Sequence, residues 1–373
     1  MKFVYNGYVY DDDFVKKLNE KCREVNAHGF KNYLHDSVYG GKSAIERIRE
    51  IRKKSDNFQT YNNEKKLNLS QDELLEIVKN FYKQLSPSIG EKVDSILNKE
   101  NPNSDYKLEI VTDPNNEKFG RSNVSHSDRN QYLNVNISLD GSVEGLRVTA
   151  HEMSHAISGH QTKKIELLKQ NDENKFLDLI NSLGKYDRDC IGEIESHIIE
   201  YLFMQYLVDN NIISNADFKT FEVIRHNSLL NNLDLIREEY LVLNGLSCPI
   251  TTNSFEQFHK KINTPFIKTN KYKSLMNRSK FMAERNIDNN TNNHYSQYRF
   301  RYVIGEIVST LWFEKYCKSS KEEQQEMIKS FEKYLSKTDS ATLETACSEL
   351  IGLSIGDSFN DYIYHIQSKK FTI

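Results

Sequence analysis

The chain has 373 residues, enough for one large domain or two lobes with a substantial core. Its 50 basic and 53 acidic side chains give a net charge of −3, so the overall charge favours neither a nucleic-acid partner nor an anionic membrane surface. Hydrophobic residues make up 38% and charged residues 28%, a balance typical of a soluble, helix-rich protein and not of a disordered one.

The amino terminus does not have the pattern of a secretory signal. Three aspartates, 11–13, follow soon after Met1, and no apolar stretch of roughly 7–15 residues is present. No run approaches the roughly 18 apolar residues of a membrane span. The five cysteines are far apart and form no CxxC pair, which favours a reducing compartment and a metal site built from histidine and carboxylate. We therefore predict a cytoplasmic protein, although export by a signal-independent route would leave no such pattern.

The first hundred residues are predicted to be mostly helical. Apolar residues between Leu74 and Tyr82 recur at helical spacing, with polar residues between them. A turn-rich stretch around Pro102 follows. We place a boundary there, between a helical amino-terminal part, 1–104, and a second domain, 105–373.

The second domain is predicted to begin with two short strands and to continue as helices. Tyr106–Val111 and Tyr132–Ile137 both alternate apolar and polar residues. The segment 119–126 between them is predicted to be a loop. From residue 143 onward the pattern is helical, which makes the fold mainly α.

A candidate metal motif lies in the first of these later helices. His151 and His155 are four residues apart, so their side chains project from one face of a helix, one turn apart. Two imidazoles in this arrangement can bind one zinc ion, and Glu152 can act as general base toward a zinc-bound water. The same helix has an apolar stripe that can be buried, formed by Leu146, Ala150, Met153 and Ile157.

A second helix is predicted around 191–202, where isoleucine and leucine recur at helical spacing. A catalytic zinc takes three protein ligands and a water, so a carboxylate from this helix would complete the set. Glu193, His197 and Glu200 share one stripe of the helix, and the spacing leaves all three eligible.

Together these segments resemble the thimet oligopeptidase and oligoendopeptidase F family of zinc peptidases. In that family a strand of the type Tyr-x-x-x-Asn leads through a turn into Thr-Leu-x-His-Glu-x-Gly-His. The chain has the same order, with Tyr132 to Asn136, then Asp140-Gly141, then Val148 to His155. The resemblance spans roughly residues 105–365.

The family's downstream segment Glu-x-x-Ser-x-x-x-Glu is matched by Glu193, Ser196 and Glu200. The resemblance implies that Glu193 is the third ligand of one zinc ion (Zn2+) per chain. It implies that Glu200 orients a ligand imidazole and fixes its tautomer. Ser154 departs from the family, which usually has glycine there.

A third matching block is rich in histidine and tyrosine and covers 294–305. In the family, tyrosines of this block donate to the substrate carbonyl as it becomes an oxyanion, a role that suits a phenol. The resemblance implies that Tyr302 has this role, helped by Tyr298 or His294.

Substrate binding is expected at two places. The family's glycine-rich loop corresponds to a shorter segment here that contains Gly120 and Arg121. The strand at 132–137, with Asn134 and Asn136, is expected to bind an extended peptide by strand addition.

The resemblance implies a zincin-like helical catalytic domain with a small β-element beside the active-site helix. The short amino-terminal part would form one side of a cleft. The expected activity is zinc-dependent hydrolysis of peptide bonds in oligopeptides, with no nucleic-acid partner and no membrane span. Two alternatives stay open, namely an exported peptidase that cuts an intact protein and a zinc-holding binding protein without catalysis. The second would not need Glu152.

Overall fold

The structure is a computed structural model. It describes residues 3–5, 8–10, 65–98, 105–111, 122–126, 132–170, 174–175, 185–226, 228–229, 232, 295–336, 342–354, 357–358, 361–362 and 364–365.

Thirteen elements within these ranges have defined ends. The strands are β1 (Phe3–Tyr5), β2 (Tyr8–Tyr10), β3 (Tyr106–Val111), β4 (Asn123–His126) and β5 (Leu133–Ser138). The helices are α1 (Gln71–Leu85), α2 (Pro87–Leu97), α3 (Val143–Ile157), α4 (Gly159–Lys169), α5 (Lys185–Asp209), α6 (Tyr295–Lys318), α7 (Lys321–Leu335) and α8 (Leu343–Ile351). Residues 215–226 are also mostly helical. The prediction of a mainly α fold with a small β-element is confirmed.

The chain divides into two compact units. One comprises Met1–Asn57 and Asn227–Val303, and the other comprises Phe58–His226 and Ile304–Ile373. The boundary predicted at 104 falls inside the second unit. Helix α6 begins in the first unit and ends in the second.

The β-element of the second unit is a three-stranded sheet with the order β3-β5-β4. Strand β3 is parallel to β5, and β4 is antiparallel to it. On β5 the side chains of Leu133, Val135 and Ile137 are buried, as their alternation predicts. The loop prediction for 119–126 is wrong for residues 123–126, which form β4. Four residues with one apolar side chain, Val124, carry too little pattern to indicate a strand, and pairing with β5 defines it.

Helix α3 begins at a well-formed cap. Ser142 accepts from the Gly145 N–H at 2.9 Å, and Asp140 in turn accepts from the Ser142 N–H at 2.9 Å. The apolar stripe predicted for this helix is buried and packs toward α5 and β5. Helix α5 is buried on nearly every side from Glu193 to Met204, which makes it the central helix of this unit's described part.

The helices α1 and α2 pack against α3. Ser70 and Glu73 form a capping box at the start of α1, and Pro87 occupies the first turn of α2. The hydroxyl of Tyr82 donates to the carbonyl of Ala150, just before His151, at 2.6 Å. The predicted helical character is confirmed for 71–97, whereas residues 11–64 lie outside the described ranges. No helix in the described part is long and apolar enough to cross a membrane.

Candidate metal centre

Three predicted ligands converge where α3 meets α5. The Nε2 atoms of His151 and His155 are 3.2 Å apart, and the Nε2 of His151 lies 3.6 Å from the Oε2 of Glu193. Ligand atoms at about 2.0–2.2 Å from a tetrahedral zinc lie about 3.3–3.6 Å from one another. All three donors are within 4.8 Å of one another, so the side chains fit a single ion.

A further carboxylate of the region, that of Glu200, fixes the tautomer of His151. Its Oε1 lies 2.6 Å from the Nδ1 of His151, and its side chain is 1% exposed. An ionised carboxylate can only accept, so the Nδ1 of His151 carries the proton. The lone pair of His151 is therefore on Nε2, which faces His155 and Glu193.

Two arginines, Arg147, which is buried, and Arg225, which is partly exposed, hold Glu200 in its ionised form. Arg147, one turn before His151 on α3, pairs with the Oε2 of Glu200, and Arg225 lies 3.3 Å from the same oxygen. Burial alone would raise the pKa of Glu200, but the charges of Arg147 and Arg225 and the bond to His151 hold it well below its usual range. Burial likewise would lower the pKa of His151, and the bond to Glu200 and its charge instead raise it.

The predicted general base, Glu152, is oriented by the sheet. Its Oε2 accepts from the backbone N–H of Val124 at 2.8 Å. Its Oε1 lies 4.0 Å from the Nε2 of His151. Since Val124 donates its N–H to Glu152, that N–H points away from β5. Strand β4 thus places the carboxylate beside the candidate ligands.

The side chain of His197, which the sequence left eligible as a ligand, lies on the other side of Glu193. Its Nε2 is 3.7 Å from the Oε2 of Glu193, and its Nδ1 is 2.6 Å from the Nη2 of Arg225. Burial and the charge of Arg225 hold the pKa of His197 well below its usual range. A second group, His151, His197 and Glu200, also has donor atoms within 4.8 Å of one another. Glu200 faces the protonated Nδ1 of His151 and is bound by two arginines, so the group with His155 and Glu193 fits an ion better.

Behind His197, Arg225 is held by Glu306 of α6. The Nε of Arg225 donates to the Oε2 of Glu306 at 2.7 Å, and Tyr201 donates to the Oε1 at 2.9 Å. Sequence reasoning missed Arg147, Arg225 and Glu306. Arg147 had a readable signal, since it lies four residues before His151 on the same helix, but nothing local connects Arg225 or Glu306 to the motif.

The prediction that a peptide adds to the strand at 132–137 is wrong. Strand β5 is the central strand, paired with β3 on one side and with β4 on the other. The main chain of 133–136 is therefore not free to add a peptide strand, and the edges of the described sheet are β3 and β4. The side chains of Asn134 and Asn136 are half-buried.

The structure describes part of the histidine- and tyrosine-rich block, 294–305. Tyr302 lies on α6 in the first unit, where Arg301 donates to its hydroxyl at 2.7 Å. The position of Tyr298 is described as part of α6, without its side chain. Gly120, Arg121 and His294 lie outside the described residues, so the roles expected of these five residues stay predictions.

Comparisons with known proteins show likeness in fold but not in sequence. No protein-family model matches the chain, and no curated protein matches it. A structure from Bacillus anthracis str. Ames, assigned as an oligoendopeptidase F, has a TM-score of 0.50 and 14% identity, over 96% of this chain and 56% of that one. PZ peptidase A with an inhibitor has a TM-score of 0.52 and 12% identity, over 97% of this chain and 59% of that one. A structure from Chlamydophila abortus, assigned as a peptidase, has a TM-score of 0.45 and 13% identity, over 96% of this chain and 55% of that one.

The chain thus spans less than two thirds of the length of these structures. At such low identity the likeness concerns the fold alone. The chain has the helical fold of the oligoendopeptidase F and PZ peptidase A structures.

Proposed function

We propose that the protein is a zinc-dependent peptidase whose metal ion is held by His151, His155 and Glu193. The observation that carries the proposal is the convergence of their three donor atoms, with neighbouring pairs 3.2 and 3.6 Å apart. The donor chemistry fits zinc, which binds two imidazoles and a carboxylate in many catalytic sites. The peptidases that share the fold support the same reaction class.

When bound, a zinc ion at this site polarises a water molecule and the carbonyl of the scissile bond. The residues of the chain supply the proton transfers. Glu152, oriented by the Val124 N–H, accepts a proton from the attacking water and passes it to the leaving amine nitrogen. Glu200 keeps the lone pair of His151 on Nε2, and the two arginines keep Glu200 ionised.

We place the substrate along the outer side of β4 rather than on β5. One side of β4 is paired with β5, whereas the Val124 N–H on the other side is directed at Glu152. An extended peptide next to this edge would pass beside the proton acceptor. Asn134, Asn136, Gly120 and Arg121 are proposed to contact the substrate. Tyr302, Tyr298 and His294 are proposed to donate to the developing oxyanion.

Oligopeptides are the proposed substrates. One experiment distinguishes this proposal from a peptidase of intact proteins and from a zinc-binding protein without catalysis. The purified protein is analysed for bound metal and incubated with quenched fluorescent peptides and with folded proteins, with and without a chelator. Hydrolysis of peptides that the chelator abolishes and zinc restores supports the proposal. Cleavage confined to a folded protein would instead indicate a peptidase of intact proteins, and stoichiometric zinc without any hydrolysis would indicate a binding protein.

The variant Glu152→Gln separates metal binding from turnover. It preserves the size of the side chain and is expected to retain zinc while hydrolysis falls by at least about 100-fold. Glu91→Gln is the matched control, because Glu91 is an exposed residue of α2. Hydrolysis by Glu152→Gln at the rate of the unmodified protein would refute the mechanism.

A further inference from the structure

A largely buried polar cluster lies next to the candidate ligands, and its contacts with His197 have no role in the mechanism described above. It joins three elements: His197 comes from α5, Arg225 from the helical segment 215–226, and Glu306 from α6. His197 is 2% exposed and Glu306 is 2% exposed. Arg225 is the connecting group, since it reaches His197, Glu306 and Glu200 at once.

The contact between Arg225 and His197 determines where the imidazole carries its proton. A guanidinium is always protonated and can only donate hydrogen bonds. Its Nη2 lies 2.6 Å from the Nδ1 of His197, so Nδ1 must be the acceptor. A neutral imidazole that accepts at Nδ1 carries its proton on Nε2.

The protonated Nε2 of His197 faces the carboxylate of Glu193. The distance from Nε2 to the Oε2 of Glu193 is 3.7 Å, longer than a hydrogen bond, so the N–H acts on the carboxylate by electrostatic attraction. This distance is almost the same as the 3.6 Å from that oxygen to the Nε2 of His151. One carboxylate oxygen therefore lies between a histidine lone pair and a histidine N–H. The two imidazoles have opposite tautomers on the two sides of Glu193.

We propose that His197 is a positioning residue that holds the Glu193 carboxylate for metal binding through its Nε2–H, with its tautomer set by Arg225. The proposal rests on the proposed function, because Glu193 has to be a ligand for its position to matter. A neutral N–H donor attracts the carboxylate without competing with a cation for the site.

The same geometry excludes His197 as a fourth ligand. Coordination through Nε2 would require the proton to leave that atom or to move to Nδ1. A proton on Nδ1 would meet the Nη2 donor of Arg225, so two N–H groups would face each other at 2.6 Å. Arg225 thus acts on both imidazoles. Through Glu200 it keeps the Nε2 lone pair of His151 available for a metal ion, and by direct contact it keeps the Nε2 of His197 protonated.

The close approach of α6 keeps His197 in this orientation. A Cβ at Gly305 would lie 2.8 Å from the Nδ1 of His197 and 3.0 Å from the carbonyl oxygen of Glu193. Only a residue without a side chain leaves room for the ring and for the helix at this point.

Two substitutions in the full-length chain test the proposal. His197→Gln can still accept from Arg225 through its amide oxygen and donate toward Glu193 through its amide nitrogen, whereas His197→Leu can do neither. Zinc affinity is measured by competition with a chelator, and the ligand field is measured by the absorption of the cobalt(II) form. We expect His197→Leu to bind zinc about 10–100-fold more weakly and His197→Gln to stay within about threefold of the unmodified protein. The cobalt spectrum should keep its form in both.

Unchanged zinc affinity in His197→Leu would overturn the positioning role and leave the proposed peptidase function intact. An equal loss in both variants, with a changed cobalt spectrum, would show that His197 is itself a ligand and would also overturn the proposal. Absence of stoichiometric zinc binding in the unmodified protein would overturn the proposed function and this inference together.

A third measurement observes the tautomer in the unmodified protein itself. Nitrogen-15 NMR of the histidine rings in the unmodified protein distinguishes the tautomers directly, with the His197 signals assigned by their loss in His197→Gln. A protonated Nε2 and an unprotonated Nδ1 support the proposal. The opposite tautomer at His197 would refute it.

Discussion

The carboxylate of Glu152 accepts a hydrogen bond of 2.8 Å from the backbone N–H of Val124, which joins the proposed proton acceptor to an edge strand of the sheet. A backbone donor of this kind cannot rotate away, so the direction of the carboxylate is defined by the strand and not by a mobile side chain. The Glu152 carboxylate, the proposed base, is therefore held in place by a strand that pairs with β5.

Val124→Pro should remove this donor and leave the strand pairing in place. Proline has no N–H, and the N–H of Val124 is not used in the ladder with β5. We expect unchanged zinc content and a fall in kcat of about 10–100-fold, because a general base contributes about 100–10,000-fold when well placed. Val124→Ala, which keeps the N–H, is the control and should retain kcat. Equal activity in Val124→Pro and Val124→Ala would show that the bond does not orient the base.

Glu200→Gln should weaken metal binding without removing a ligand. The amide lacks the charge that keeps the proton on the Nδ1 of His151, and it leaves Arg147 and Arg225 without their shared anion. We expect zinc affinity to fall by about 10–100-fold and the free energy of unfolding of the metal-free protein to fall by about 3–5 kcal/mol. Chelator competition and urea unfolding measure the two effects.

Glu144→Gln is the matched control for Glu200→Gln. Glu144 also pairs with Arg147 but is partly exposed and does not contact His151 in the described structure. Its loss should leave zinc affinity within about threefold, since surface pairs contribute about 0–1 kcal/mol. A similar loss of affinity in both variants would mean that Arg147, and not the tautomer of His151, is the sensitive group.

Gly305→Ala should be destabilising, and Gly192→Ala should not. The new Cβ at 305 would lie 2.8 Å from a ring atom of His197, whereas one at 192 would lie 3.7 Å from the ring of His155, an ordinary contact. We expect Gly305→Ala to lower the free energy of unfolding by about 1–3 kcal/mol. Gly192→Ala should be neutral or gain up to about 1 kcal/mol from its better helix propensity. Urea unfolding of both variants checks this pair, and equal stability would contradict the packing seen between α5 and α6.

Stability should fall with acidity through His226. Burial, together with the nearby charge of His365, lowers the pKa of His226 from an ordinary value of 6.5 to about 4. As pH falls below 6.5 the unfolded chain binds a proton there that the folded chain does not accept until about pH 4. The free energy of unfolding should therefore fall by up to about 3 kcal/mol as the pH falls from 6.5 to about 4. Above pH 6.5 this contribution of His226 keeps its full value.

His226→Gln isolates this contribution, because it removes the titrating ring and keeps a polar group beside Tyr362. Urea unfolding is measured between pH 7 and pH 4 in the presence of a chelator, which removes the pH dependence of metal binding. The variant should lose less stability over this range than the unmodified protein. Identical slopes would show that His226 does not carry the effect.

The two candidate histidine ligands could be predicted because their pattern lies within a single helix. His151 and His155 are one helical turn apart, and the stripe of α3 shows which face is buried. The selection of Glu193 came from the resemblance, and the short distances among the three donors agree with it. The helical character and two of the three strands of the sheet were likewise predictable from periodicity.

The remaining parts of the site could not be predicted, since they depend on contacts between distant segments. Arg225 and Glu306 reach His197 from elements 28 and 109 residues away in the chain. Strand β4 is too short to show a pattern, and its pairing is what makes β5 central and unavailable to a peptide. A period-two pattern predicts a strand but does not indicate its place in the sheet.

All three candidate ligands, the proposed base and both arginines belong to the second compact unit. The proposed metal ligands and base thus belong to one compact unit, whereas the residues proposed to stabilise the oxyanion, 294–302, belong to the other. Replacements confined to residues 227–293 would therefore leave every proposed ligand and base position unchanged in sequence.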